Sequence, residues 1–273
     1  MEDSMGWLIA GVISFIIGVI LFFVAASKRK SLFSVLSSEK RNCKQLVETA
    51  KSISDEIGAG SFNERCRIWG KIESSEPLIS ELTERECVYY RSAVYRKYET
   101  TESYTDEKGN SRTRRVTQEE CLSSNTNQIP FYLNDGTGKV EVSLEGAVIE
   151  DTVKVLDRFV PGESSGSALS FGRFSFSLSP FGGSRTLGYR YEESIIPVNN
   201  NLFVVGEASD GQGYVRIQAP HEKGYKYLVT MKSEEEYVKS LKGTIQGLSI
   251  AAPILTGIGV VLSILQFVIG KKL

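Results

Sequence analysis

Few residues of this 273-residue chain have types and spacings suited to chemistry. His221 is the only histidine, and the four cysteines lie more than twenty residues apart, so no CxxC pair exists. Zinc sites usually combine closely spaced Cys and His ligands, so we predict no metal site. In a reducing compartment the thiols are expected to be free and buried, whereas outside the cell two disulfides could form. The cysteines are Cys43, Cys66, Cys87 and Cys121.

Paired carboxylates, which often serve acid–base catalysis, occur at Glu192 and Glu193. Neighbours in a strand point to opposite faces, so this pair does not converge on one substrate. We therefore predict no catalytic residue and no cofactor; a site assembled from distant residues is the alternative. Gly136 and Gly138 lie between two alternating segments with no Lys-Ser/Thr ending, so they predict a hairpin turn and not a phosphate loop.

Two groups of residues are candidates for a partner surface. Arg112, Arg114 and Arg115 cluster near a predicted hairpin tip, where they form either a patch for an acidic partner or an ordinary solvated face. Phe174 and Phe176 lie in a Ser/Gly-rich stretch, where they form either a strand packed on a barrel or an apolar loop that touches lipid or a partner.

Nucleic acid is not an expected partner. The formal net charge is −1 and the pI is about 6.1, whereas nucleic-acid binders usually carry a basic excess. Tyrosines and basic residues interleave between positions 89 and 98, which leaves an OB-like module that stacks bases as an alternative.

The longest apolar run sets the class of protein. Residues 7–26 hold no charged side chain, and a helix of this length reaches about 30 Å, the thickness of the hydrocarbon core. This predicts a transmembrane helix. Lys28, Arg29 and Lys30 follow it, so the next part of the chain is expected on the cytoplasmic side. A cleaved signal peptide ending near Ala25-Ala26-Ser27 is the alternative.

Small residues recur along this helix. Gly6, Ala10, Ser14 and Gly18 are spaced every four residues and predict a face for close helix packing, with a second copy as one partner.

A second apolar stretch, residues 248–269, predicts another span that Pro253 should kink. Ser233 and the acids after it should begin this helix. A re-entrant or interfacial segment is the alternative, because Lys271 and Lys272 would lie outside.

Between the spans the pattern is mainly β. Spacings of three and four residues predict an amphipathic helix within 31–60, capped by Ser37 or Ser38 and ended by Gly58 and Gly60. Alternating segments from Arg65 onward predict strands of a partly open OB-like barrel or a sandwich. The predicted organisation is a span and basic flank (1–30), a juxtamembrane helix (31–60), a β domain (61–232), and a helix with a second span (233–273).

Several of these strands carry a resemblance to a known family. The segments are Cys87-Val88-Tyr89-Tyr90-Arg91, residues 131–138 (FYLNDGTG), Arg190-Tyr191-Glu192-Glu193 and Val204-Val205-Gly206-Glu207-Ala208. In this order, between two apolar segments, they resemble the GIDE-type "beside a membrane" (BAM) domain of the GIDE/MULAN membrane ubiquitin ligases. The matching positions of most interest are Asp135, Gly136, Gly138, Tyr191, Glu193, Gly206 and Glu207.

The resemblance implies a β-rich domain held at a membrane. In the ligases a zinc-bearing RING domain follows the second span; the given sequence holds none, so we expect a RING-less member with no inherited catalytic residue. The family further suggests a sensing or recruiting role in stress or defence. The expected partners are the lipid bilayer and either another protein or a second copy of the chain.

Overall fold

The computed structural model describes residues 2–106, 108–162, 168–172, 174–177 and 184–269. The helices are α1 (Glu2–Ser37), α2 (Cys43–Ile57) and α3 (Glu234–Ile269). The strands are β1 (Glu39–Lys40), β2 (Asn63–Glu73), β3 (Leu78–Ile79), β4 (Glu86–Thr105), β5 (Ser111–Gln128), β6 (Phe131–Asn134), β7 (Lys139–Val142), β8 (Val148–Ile149), β9 (Val153–Pro161), β10 (Ala168–Phe171), β11 (Phe174–Ser177), β12 (Arg185–Pro197), β13 (Asn201–Ser209), β14 (Arg216–Gln218) and β15 (Leu228–Thr230).

The predicted fold class is confirmed: the chain is mainly β, its sheets include a barrel, and helices flank them. The chain divides into two units. We call Met1–Trp69, Glu145–Val148 and Leu202–Leu273 the helical unit, and Gly70–Leu144 with Ile149–Asn201 the hairpin unit.

The helical unit contains the two long helices. Within the described residues, Ile9–Ser37 of α1 and Glu234–Leu265 of α3 are long and apolar enough to cross a membrane, by length and composition. Each helix has 36 residues and so measures about 54 Å. Contacts pair Gly11 with Ser263 and Gly18 with Thr256, so the two helices run antiparallel. α3 continues through Pro253.

Reciprocal hydrogen bonds between a capping residue and the third helical residue mark the starts of α2 and α3. Ser233 caps α3 as predicted, because its hydroxyl accepts from the amide of Glu236, whose carboxylate accepts from the amide of Ser233. For α2 the predicted cap at Ser37 or Ser38 is wrong. α1 continues to Ser37, and Asn42 caps α2 through a capping box with Gln45.

The hairpin unit is built on a long antiparallel pair. β4 and β5 pair from Tyr89↔Gln128 to Thr105↔Ser111, which confirms the predicted hairpin. β12 lies on the other edge of β4, and β9 follows, so the order is β3-β4-β12-β9 with β5 beside β4. The tight turn predicted at Gly136 joins β6 and β7, which pair from Asn134↔Lys139 to Phe131↔Val142.

Candidate functional site

The end of α1 is built into the β-structure of the helical unit. Ser31 and Ser34 are fully buried there. The Lys226 ammonium donates to the carbonyl of Ser27 at 3.0 Å and to its hydroxyl at 2.8 Å. The Lys226 amide donates to the hydroxyl of Ser34 at 2.8 Å. We call this region, where the long helices meet strands β13 and β15, the collar.

Apolar side chains fill the collar from three elements. Val35 of α1 is completely buried against strands β13 and β15 and the first turns of α3. Burial of side chains of this size contributes about 1.5–3 kcal/mol each. The cluster consists of Val35, Phe203, Val205, Leu228, Tyr237 and Leu241.

Arg67 of β2 joins the ends of both long helices. Its guanidinium donates to the carbonyl of Val35 at 3.0 Å and to that of Ser38, two acceptors at the end of α1. Its Nε lies 2.8 Å from a carboxylate oxygen of Glu234, an ion pair at the start of α3. A cation at a helix C-terminus and an acid at an N-terminus both complement the helix dipoles, so this arrangement favours the docked helices.

Further along, glycines bring α1 and α3 into close contact. A Cβ on Gly11 would lie 3.0 Å from the carbonyl oxygen of Gly259, and one on Gly18 would lie 2.7 Å from the amide nitrogen of Thr256. A Cβ on Gly259 would lie 2.6 Å from the amide nitrogen of Phe15. The backbones therefore approach at positions where a larger residue does not fit.

The predicted small-residue face matches this contact only in part. Gly18 is buried against α3, but Ser14 is half-buried, Ala10 is exposed and Gly6 has open space around its Cβ position. Packing of these four residues against a second copy stays a prediction. The glycine missed from sequence, Gly11, lies seven residues before Gly18, a spacing that could have identified it.

In the hairpin unit one carboxylate is fully buried. Glu193 of β12 accepts hydrogen bonds from the amides of Leu82 (2.7 Å) and Thr83 (2.9 Å). The hydroxyls of Ser80 (2.9 Å), Ser92 (3.1 Å) and Thr83 also donate to it. Burial alone would raise the pKa of Glu193, but these hydrogen bonds outweigh it and hold the pKa below its usual value.

This carboxylate therefore fixes the loop between β3 and β4 on the sheet. Glu192, its neighbour, points to the other face and contacts Arg190 at 2.5 Å, as the strand pattern predicts. No lone pair of Glu193 is left aimed at open space, so its role in this geometry is to hold backbone.

The other family-motif positions also have local structural roles. Asp135 accepts from the amide of Thr137 at 2.9 Å, and Gly136 adopts φ 86°, which few other residues tolerate. Tyr191 lies in the core of the hairpin unit. Asp135 and Gly136 therefore stabilise the turn between β6 and β7, in which Gly138 also lies, and Tyr191 contributes to the core of the hairpin unit.

In the helical unit, Gly206 leaves no room for a side chain, since a Cβ would lie 2.8 Å from the ring of Tyr227. Its neighbour Glu207 is nearly buried and contacts Nδ1 of His221, whose side chain is exposed.

The three arginines of the predicted partner surface each contact an acidic residue of the same hairpin. Arg112 contacts Asp106 at 2.7 Å, and Arg114 contacts Glu102 at 3.0 Å. Arg115 lies 3.8 Å from Glu99. The backbones of Phe174 and Phe176 form β11, but their side chains lie outside the described part of the structure. A role of either group in partner binding stays a prediction.

Three of the four cysteines are buried, and none forms a disulfide. Burial, with the nearby charge of Glu64, raises the pKa of Cys66 to about 12, and burial raises that of Cys87 to about 11. Cys121 is exposed, so the expectation of a buried thiol is wrong there: it lies on β5, at the surface of the sheet. Among the described residues, no group of three or more Cys, His, Asp or Glu could hold a metal ion.

Two residues of the proposed base-stacking surface, Tyr90 and Arg96, are not available to a nucleic acid. Tyr90 is buried in the core, and Arg96 is buried with its guanidinium donating to Thr186 and Ser184 and paired with Glu120. Neither side chain can reach a base without leaving these contacts.

Comparisons with known proteins identify the family. The model of the GIDE family, described as E3 ubiquitin ligase, matches residues 99–263. Among curated proteins, E3 ubiquitin-protein ligase SPL1 of Arabidopsis thaliana is 33% identical over 142 residues, which cover 50% of this chain and 39% of that protein. The chain thus matches about two fifths of this relative's length. No solved structure matches the chain. Because the family model covers more than half of the chain, including most of the hairpin and all of the collar strands, the chain belongs to the GIDE family.

Proposed function

We propose that this chain is a membrane-anchored recruitment protein. In this proposal α1 and α3 cross the bilayer side by side, and the β domain binds a protein partner at the membrane surface. The observation that carries the proposal is the collar. α1 runs unbroken from Glu2 to Ser37, and its last turns are buried among β13, β15 and α3. No flexible linker separates the apolar helix from the strands of the helical unit, so those strands are held at a fixed height above the bilayer.

The position of the membrane surface is supported by a contact between the helices. Arg29, within the basic group that follows the first apolar run, donates to the hydroxyl of Ser249 at 2.8 Å. Ser249 lies at the start of the second apolar stretch, so the end of the first apolar stretch and the start of the second lie at the same level. Basic residues at this level favour the cytoplasmic side for the β domain.

Ubiquitin transfer is the process in which we propose that recruitment takes part. The support is the family description and the name of the plant relative. The partner is proposed to be a protein with a RING domain, the type of domain that the resemblance associates with these ligases. Sensing, stress and defence stay expectations from the resemblance.

The topology is tested with the exposed thiol of Cys121. A membrane-impermeant maleimide should label the full-length chain in inverted vesicles but not in intact cells, and alkaline carbonate should leave the chain in the pellet. A Cys121→Ser chain is the control, since the other thiols are buried. Labelling of intact cells would contradict the cytoplasmic assignment, and release by carbonate would contradict anchoring.

Recruitment is tested by purifying the tagged full-length chain from native membranes after mild cross-linking. The control keeps both apolar helices but replaces residues 61–232 with an unrelated soluble domain. We expect a protein that is recovered with the full chain and not with the control, and a RING protein among the recovered set. Identical recoveries from the two baits would refute recruitment by the β domain.

A further inference from the structure

β5 presents a long free edge. Among the described strands it pairs only with β4, so the amides and carbonyls along its other side face none of these strands. The strand has 18 residues, and most of their side chains are exposed. Long open edges pair readily with other strands, and proteins generally cover or disrupt them.

Part of this edge belongs to a projecting arm. β12 pairs with β4 only as far as Glu99, whereas β4 and β5 continue together to Thr105 and Ser111. Beyond Glu99 the described part of the ribbon therefore has two strands. Isolated two-stranded ribbons are marginally stable in water, so an additional strand on this edge would stabilise the arm.

The charged residues of β5 have opposite signs on the two sides of Thr117, so the strand is complementary to an antiparallel copy of itself. Around Thr117, Arg115 and Glu119 each lie two residues away, and Arg114 and Glu120 each lie three residues away. When a strand pairs antiparallel with a copy of itself about its own midpoint, residues equidistant from that midpoint become opposite neighbours. Pairing about Thr117 thus sets arginine against glutamate at four positions, and a parallel arrangement in register would oppose like charges.

The charges on β4 extend this pattern. Arg114 already contacts Glu102 of β4 at 3.0 Å, and Glu120 contacts Arg96 of β4 at 3.0 Å. Across two copies, the sign of charge would then alternate over four neighbouring strands. Opposite charges facing each other across strands are favourable, and like charges are not.

We propose that β5 pairs antiparallel with β5 of a second copy of this chain, about a two-fold axis through Thr117. The two sheets become one continuous sheet, and both projecting arms gain a third strand. The interface is isologous, since the same segment serves both copies. The proposal depends neither on recruitment of another protein nor on the small-residue face of α1.

Disulfide trapping at the axis tests this register. In a Cys121→Ser background, Thr117→Cys places two thiols directly opposite, at a Cα separation of about 4.5–5.5 Å, within the range of a disulfide. The matched control is Thr126→Cys, which is also exposed on the same strand. In the proposed dimer the two cysteines at position 126 would lie about 60 Å apart. After oxidation of native membranes, the Thr117→Cys chain should give at least about tenfold more covalent dimer than the control. Equal yields, or a product whose mass fits another protein, would overturn the proposal.

Exchange of charges on β5 distinguishes specific pairing of the two strands from cross-linking by random collision in the membrane. Arg115→Glu and Glu119→Arg are each introduced into the Thr117→Cys chain, because the ion pairs that these residues form with other described residues are long, at 3.8 and 3.9 Å. Each variant alone should cross-link about tenfold less, because two opposite-charge pairs become like-charge pairs. Coexpression with tags of different size should restore the mixed dimer to the parent level. Unchanged yields for the single variants, with unchanged thermal unfolding, would refute the pairing.

Discussion

Replacement of Glu193 tests whether a buried carboxylate holds the loop between β3 and β4. Its two oxygens accept from different groups: Oε1 from the amide of Leu82 and Oε2 from the amide of Thr83. In Glu193→Gln one of these oxygens becomes an NH2 group. A hydroxyl can rotate to accept from it, but a backbone amide cannot, so one buried amide must face a donor.

The expected loss follows from that count. An unsatisfied buried donor costs about 1–3 kcal/mol, so Glu193→Gln should lower the free energy of unfolding by about 2 kcal/mol. Glu193→Ala leaves both amides without an acceptor and should cost about 4 kcal/mol. Glu192→Gln is the matched control. Its side chain is partly exposed in an ion pair, so it should change stability by less than about 1 kcal/mol.

The assay is denaturant unfolding of the full-length chain in detergent, followed across pH. The folded state holds the pKa of Glu193 below the ordinary value of 4.5. Its contribution to stability is therefore complete above that value and is lost as pH falls toward the lower, folded pKa. The difference between the parent and Glu193→Gln should shrink over this acidic window. If both Glu193 variants unfold like Glu192→Gln at pH 7, the proposed role of the carboxylate is wrong.

Two other substitutions test contacts that hold the helical unit together. Gly259→Ala should lower the midpoint of thermal unfolding in detergent by several degrees, because its Cβ would lie 2.6 Å from the backbone of α1. Gly257→Ala, which has open space around its Cβ, should leave the midpoint unchanged, and equal effects of the two substitutions would refute the close approach. Asp210→Asn should cost about 1–2 kcal/mol, because its two oxygens accept separately from the amides of Gly60 and Phe62. Faster proteolysis around Gly60 would accompany that loss, and an unchanged cleavage rate would contradict the assignment.

Most secondary structure could be predicted from the sequence because its causes are local. An uncharged run of apolar residues specifies a helix that can enter a membrane, and alternation specifies strands, whatever their neighbours are. The turn at Gly136 and the cap at Ser233 also depend on residues only a few positions apart. The cap of α2 was missed because α1 continues past the basic residues, and packing of Val35 in the collar favours that continuation.

The collar was not predictable in the same way. A stripe of serines at 27, 31 and 34 is visible in the sequence, but its acceptor role depends on Lys226, 192 residues beyond Ser34. Likewise, nothing adjacent in sequence indicates that Glu193 meets the amide of Leu82, 111 residues earlier. In the sequence Arg67 is one of several basic residues of a strand, and only the fold shows that it contacts the ends of both long helices.

Composition and short-range periodicity are enough to predict two apolar helices and a mainly β domain between them, and the motifs at 87–91, 131–138, 190–193 and 204–208 carry the resemblance to the GIDE family. The burial of Glu193, the glycines that face the second helix and the open edge of β5 can be recognised only in the folded chain. Each of those depends on the register between segments that are far apart in the chain, and register is set by the packing of the whole unit and not by any local pattern.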